Sequence, residues 1–172
     1  MKNNTKFIAR TALLLATAIV FQVFGGFIPY HNFVVGSIVN AVLMIATAIA
    51  GLWSGIAISV IAPIVAALTN KAAIAPLIFA FSPFIIIGNT IIVVCFYLLG
   101  KKSRVAGVAL GALLKFGFLY AAISVFTSVV RMKPQVSITL KSLFSWPQLI
   151  TAVVGGAIAL SVLKLIGKSL EK

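Results

Sequence analysis

The chain has 172 residues, 62% of them hydrophobic, and carries 14 lysines and arginines against one acidic residue, Glu171. A soluble domain of this length needs a surface that mixes both signs of charge, and this sequence cannot supply one. Its mean hydropathy of +1.23 is typical of a protein in a lipid bilayer. The basic residues form small clusters between apolar segments, with no basic stripe and no interleaved aromatic residues, which excludes a nucleic-acid-binding surface.

Apolar segments predict six membrane-spanning helices. Residues 33–70 contain no charged side chain. As one helix they would be about 57 Å long, nearly twice the roughly 30 Å hydrocarbon core. This run must therefore turn back, and Gly51 is the only break near its middle. The predicted spans lie near residues 7–28, 34–50, 52–70, 75–99, 104–130 and 147–166.

The basic residues also indicate the orientation of the bundle. They are more numerous in the N-terminal segment, in the connection at 100–104 and in the C-terminal segment than in the other connections. Because cytoplasmic segments are enriched in Lys and Arg, both termini are predicted to be cytoplasmic. We therefore predict an all-α membrane protein whose residues 1–172 form a single integral-membrane domain, a bundle of six transmembrane helices. The longest connection, residues 131–146, is predicted to be an outer loop.

Lys115 is the residue whose placement inside a membrane span costs the most free energy. It lies about 16 Å along the fifth helix from Arg104, near the bilayer centre. Gly107 and Gly111 precede it at intervals of four residues, so its face is one on which another helix can pack closely. No span contains an acidic partner, which leaves carbonyl groups, water or a bound anion. The alternative is a lysine that reaches cytoplasmic water, or one that burial has deprotonated.

Other polar and aromatic residues in the outer halves of the spans are candidates for a small-molecule site. Asn89 follows Pro83, and proline frees backbone carbonyls that a membrane tolerates only inside protein or along a cavity. The alternative for Asn89 is a hydrogen bond to a neighbouring helix, and for Trp146 it is the aromatic belt of the membrane interface. The candidate substrate-binding residues are Asn89, Lys115, Tyr120, Trp146 and Gln148.

The sequence lacks the residues that catalysis or metal binding would need. A pair of catalytic carboxylates is impossible with one acid, and His31 has no cysteine or acid near it in sequence for a metal site or a triad. The sequence also has no phosphate-binding loop. We therefore predict that the chain is not an enzyme and holds no metal or cofactor. Energy for uphill transport would have to come from another subunit or from an ion gradient.

The first span contains Ala12 and Ala16, spaced as Ala-x-x-x-Ala, which puts two small residues on one helical face for a close helix contact. With its length, six spans, cytoplasmic termini and basic outline, the chain resembles the substrate-binding S component of energy-coupling factor (ECF) transporters, the bacterial vitamin-uptake systems.

This resemblance implies that the chain lies in the bacterial cytoplasmic membrane and captures a small water-soluble vitamin or precursor from outside. It implies that Ala12 and Ala16 contact a membrane coupling subunit. Two ATPase subunits bound to that subunit would use ATP to drive release of the ligand inside the cell. The pocket would lie toward the outer side, among helices 4 to 6 and the outer loops. A carboxylate on the ligand, as in pantothenate or nicotinate, would balance Lys115.

Two other functions fit the same composition. One is an autonomous pore or facilitator that oligomerises through glycine and alanine faces, and it predicts flux without ATP or a partner. The other is a membrane scaffold without a ligand, in which the Lys115 side chain only extends to cytoplasmic water. The scaffold predicts that no small molecule stabilises the protein against heat.

Overall fold

A computed structural model describes residues 2–25, 30–70 and 72–170, with side chains described for residues 4–25, 30–70 and 72–167. Within these ranges the chain forms seven helices and no strand. The helices are α1 (Lys2–Phe24), α2 (His31–Ala50), α3 (Leu52–Thr69), α4 (Ala75–Leu99), α5 (Arg104–Val129), α6 (Pro134–Phe144) and α7 (Trp146–Leu170). Six helical segments are long and apolar enough to cross a membrane, which confirms the predicted all-α membrane fold.

The helix boundaries lie close to the predicted ones. Helix α4 begins and ends where the hydropathy pattern predicts, at Ala75 and Leu99. Helix α1 begins at Lys2, earlier than predicted, and ends at Phe24. The predicted end of the first span, at residue 28, lies outside the described residues.

A single residue, Gly51, joins α2 to α3. Its φ of 96° lies in the left-handed region, which side chains with a Cβ rarely adopt. Its backbone N–H donates to the carbonyl of Thr47 at 3.2 Å, which closes the last turn of α2. Glycine therefore makes the tight turn possible, and the long uncharged run folds back at the predicted place.

The prediction of an outer loop over residues 131–146 is wrong for its central part, which is α6. This helix begins at Pro134, a residue suited to the first turn because it needs no N–H there. It has 11 residues and is too short to span the bilayer. It is held by one apolar side, since Leu140 and Phe144 are buried and the Phe144 ring centroid lies 4.7 Å from that of Phe81 on α4.

Two apolar clusters hold the bundle together. The larger one centres on α2, where every residue from Ala41 to Thr47 is buried. The smaller one joins α4, α5 and α6 around Phe81 and Leu119. Glycines on α5 let it approach α4 closely, since a Cβ built on Gly107 would lie 3.1 Å from the Cα of Phe96. This confirms that the glycine face of α5 packs against a neighbouring helix.

Candidate functional site

A cavity of about 520 Å³ lies within the bundle, a size in the usual range for small-molecule sites. Each of the seven described helices contributes to its walls. Asn32, Asn70 and Trp146 line it, and these residues lie at the ends of α2, α3 and α7 that the charge distribution assigns to the outside. The polar lining residues are Gln22, Asn32, Asn40, Asn70, Asn89, Lys115, Ser142, Gln148 and Thr151.

Lys115 is the charged group of this cavity. Its side chain is only 3% exposed, which confirms that it points into the bundle. Its Nζ donates to Oδ1 of Asn40 at 2.6 Å and to Oδ1 of Asn89 at 2.8 Å. Distances this short are typical of hydrogen bonds in which one partner is charged. An ammonium group has three N–H donors, so two amides leave one donor for the cavity.

Asn40 holds Lys115 in a network that joins four helices. Its Nδ2 donates to the carbonyl of Gly36 at 2.9 Å and lies 3.4 Å from Oγ1 of Thr151 on α7. Because its amide nitrogen is bound on α2, its oxygen is fixed toward Lys115 on α5. Asn89 brings α4 into the same network.

Close packing of α2 on α7 supports this arrangement. A Cβ built on Gly36 would lie 3.0 Å from Cγ2 of Thr151, and one built on Gly155 would lie 2.7 Å from the Cβ of Asn40. Side chains at either position would push the two helices apart. The glycines therefore keep Asn40 and Thr151 within hydrogen-bonding reach.

The charge of Lys115 has no carboxylate to balance it. The chain has a single acidic residue, Glu171, which lies outside the described residues. Both groups that accept from Nζ are neutral amides. The cavity can therefore accommodate an anionic or carbonyl oxygen next to Lys115, and it has no described group that would balance a cation.

The rest of the wall is largely apolar and aromatic. The rings of Phe33 and Trp146 lie with centroids 5.7 Å apart near the outer end of the cavity. The aliphatic and aromatic lining residues include Val35, Val39, Ile78, Ile85, Leu143 and Phe144. A wall of this kind binds the carbon skeleton of a small organic molecule, while a few polar groups fix its orientation.

Four of the five predicted binding residues line this one cavity: Asn89, Lys115, Trp146 and Gln148. Asn89 bonds to a neighbouring helix and also lines the cavity. Gln148 uses its Nε2 to donate to the carbonyl of Leu143 at 3.0 Å, which ties α7 to α6.

Tyr120 is the predicted residue that the structure does not bring to the cavity. Its side chain is 55% exposed and its ring packs near Phe116 on the same helix, with centroids 5.9 Å apart. It lies five positions beyond Lys115, which turns it away from the face that carries the lysine. Its aromatic ring and its depth in the span suggest it from the sequence, and the rotation of the helix places it outside the cavity lining.

Sequence reasoning missed six polar lining residues: Gln22, Asn32, Asn40, Asn70, Ser142 and Thr151. The signal that identifies Asn89, an amide inside an apolar span, also applies to Asn40 and Gln22. Across the described residues, no three His, Cys, Asp or Glu side chains come together in a group that could hold a metal ion.

Ala12 and Ala16 lie on a different surface from the cavity. Both are exposed on α1, and only 6% of the most apolar stretch of α1 is buried, against between 33% and 50% in the other five spans. Two contacts fix the first half of α1 to the α2–α3 hairpin. Arg10 Nη1 donates to the carbonyl of Ile49 at 3.0 Å, and the hydroxyl oxygens of Thr11 and Ser54 lie 2.8 Å apart.

The family model of the ECF transporter substrate-specific component matches residues 6–167. No curated protein and no solved structure matches the chain. Members of this family are membrane subunits that bind a small-molecule substrate and work with an ECF module; they are not enzymes. The match covers nearly the whole bundle, including the cavity and the exposed face of α1. The chain therefore belongs to the family of substrate-specific components of ECF transporters, and is a multi-pass cell-membrane protein.

Proposed function

We propose that the chain captures a small water-soluble vitamin or vitamin precursor from outside a bacterial cell, that the molecule carries a carboxylate, and that Lys115 binds this group. The observation that carries the proposal is a buried lysine that faces a cavity and has only neutral amide partners. A ligand carboxylate would supply the missing negative charge.

The geometry supports a binding site better than a pathway for ions. Asn40 and Asn89 hold the lysine in place before a ligand arrives, so binding would not have to order it. The apolar walls suit an organic skeleton, and the polar residues at the outer end suit a molecule that arrives from water.

Delivery of the ligand would depend on partners. We place the contact with the membrane coupling subunit on the exposed face of α1 at Ala12 and Ala16, where small side chains let another helix approach. Two ATPase subunits bound to that partner would use ATP to drive release inside, and this chain would hold no cofactor of its own. The bonds from Arg10 and Thr11 to the α2–α3 hairpin would keep this face fixed relative to the bundle.

A thermal-shift screen tests substrate capture. The purified protein in detergent is heated with water-soluble vitamins and precursors, each acid paired with its amide or alcohol. A ligand at 100 times its dissociation constant stabilises a fold by about 2.7 kcal/mol, so a true ligand raises the melting temperature clearly. We expect at least one acid to stabilise the protein more than its uncharged counterpart does.

Two results would contradict the proposal. If the protein is folded and no compound stabilises it, the scaffold function is favoured. If proteoliposomes that contain this chain alone show flux of a stabilising compound without ATP, the autonomous facilitator is favoured.

A further inference from the structure

Gln22 on α1 is the unusual polar residue of the cavity. Its Oε1 is buried and accepts no hydrogen bond, and it is the one side-chain nitrogen or oxygen atom in this state across the described residues. The residue lines the cavity that contains Lys115. Buried polar atoms are normally paired, and an acceptor left unpaired and shielded from water destabilises the protein. The ligand-free protein therefore holds an unsatisfied acceptor at the edge of its binding site.

A rotamer change of Gln22 would break no hydrogen bond to a described residue. No hydrogen bond to a described residue holds its amide, in contrast to Asn40, which is bound through both its oxygen and its nitrogen. Glutamine has three rotatable side-chain bonds, so a rotamer change can bring Oε1 to a donor in the cavity. Such a change would remove the penalty of the unpaired acceptor.

Gln22 and Lys115 belong to different walls. Helix α1 packs on α2 and α3, while α5 packs on α4, α6 and α7. Both residues line the same cavity, so a ligand whose carboxylate meets Lys115 could present its other end to Gln22. Oε1 is the buried atom of Gln22 that has no partner, so a donor on that end of the ligand would satisfy it.

The charge of the cavity restricts this donor to a neutral group. A protonated amine would need a carboxylate, and the described lining residues include no acidic side chain. A hydroxyl or an amide-type N–H satisfies Oε1 without bringing a second charge into the site.

We infer that Gln22 is a specificity-determining residue, which accepts a hydrogen bond from a hydroxyl or N–H group remote from the carboxylate of the ligand. This inference rests on the proposed function, because it takes the carboxylate to be at Lys115. The substrate class is a small monoanion with a neutral hydrogen-bond donor at its far end.

Matched acids test the inference. Biotin and 6-hydroxynicotinate carry a carboxylate and a remote donor, whereas lipoate and nicotinate carry the carboxylate without that donor. Pantothenate is a further donor-bearing acid, and panthenol and nicotinamide lack the carboxylate. Each probe is tested by thermal shift and by titration calorimetry on wild type, on Gln22→Met, and on Gln135→Met, which changes an exposed glutamine outside the cavity lining.

We expect the strongest ligand to be a donor-bearing acid. Gln22→Met should weaken its binding about tenfold, while Gln135→Met should leave it unchanged. Acids without a donor should bind wild type and Gln22→Met equally. The melting temperature of ligand-free Gln22→Met should not fall, because the substitution removes an unpaired acceptor, so weaker binding cannot be attributed to loss of the fold.

The outcomes separate the inference from the proposed function. If an acid without a donor is the strongest ligand, or if Gln22→Met binds the donor-bearing acid as tightly as wild type does, the inference fails and substrate capture stands. If uncharged probes bind best, the carboxylate at Lys115 is wrong and the inference fails with it. If no probe stabilises the folded protein, the proposed function itself is contradicted.

Discussion

Lys115 is a buried lysine whose Nζ has only amide dipoles as described partners. Removing a charge from water costs several kcal/mol, and two amide oxygens return part of that energy. Most buried lysines are paired with an acid, but every span of this chain lacks one. The unpaired charge has a clear use if a ligand supplies the opposite charge, and that use explains why neutral amides surround it.

Asn89→Asp tests whether the missing acid matters. The substitution hardly changes the shape of the side chain, but it gives Lys115 an internal carboxylate 2.8 Å from its Nζ. The pair would neutralise the site, so we expect binding of an anionic ligand to weaken more than tenfold. Calorimetry with the acid that stabilises wild type most would measure the change.

Asn4→Asp is the matched control, because it adds the same charge at an exposed position near the start of α1. It should bind the acid as wild type does. Unchanged affinity in folded Asn89→Asp would show that the charge of Lys115 takes no part in recognition.

For individual residues, the sequence predicts part of the candidate site. A polar side chain inside an apolar span is visible in the sequence, and this signal correctly predicts that Lys115 points into the bundle. Which polar residues share a cavity depends on the rotation of each helix and on its neighbours, which hydropathy does not encode. The sequence therefore favours Tyr120, which lies outside the cavity lining, and does not single out Gln22, which belongs to it.

Among the helices, α1 differs most from the rest. It is the least buried span, so a broad apolar face remains free for lipid or for a partner. The small residues Ala12 and Ala16 lie on this exposed surface, where a partner helix could approach closely. Gln22 lies about 9 Å beyond Ala16 along the same helix, at the cavity. One rigid element thus connects the proposed partner surface to the proposed binding site.

Ala12→Trp and Ala16→Trp test the role of this surface. A large ring at either position should prevent close helix contact, so ATP-dependent uptake should fall below a tenth of the wild-type rate. Ligand binding by the isolated chain should stay unchanged, because neither residue lines the cavity. Uptake is measured in cells or proteoliposomes that contain the energising subunits.

Ala121→Trp is the control, since it places the same ring on an exposed position of α5. It should support normal uptake. Normal uptake by both α1 variants would show that the partner contacts the chain elsewhere.

The long helices are easier to predict from the sequence than the short one. A span needs about 20 apolar residues, so the six spans stand out in the sequence, and Gly51 marks the turn in the long uncharged run. Helix α6 has only 11 residues, and its stability depends on packing of Leu140 and Phe144 against the bundle. Such contacts depend on tertiary structure, so the segment reads as a loop in the sequence.

In the whole molecule, the network around Lys115 joins α2, α4, α5 and α7, while α1 stays at the side of the bundle. The cavity lining extends to Asn32, Asn70 and Trp146, at the helix ends that the distribution of lysine and arginine predicts to be outside. This arrangement suits a division of labour on α1 itself, in which Gln22 faces the cavity and the exposed side with Ala12 and Ala16 is left for the energising partner.

The central claim is that Lys115 binds the carboxylate of the captured molecule. Its most direct test is the dissociation constant of the most stabilising acid for wild type, Lys115→Met and Lys141→Met, in which Lys141 is an exposed lysine on α6 outside the cavity lining. We expect Lys115→Met to bind at least tenfold more weakly and Lys141→Met to bind normally. Equal affinity of wild type and folded Lys115→Met would contradict the account.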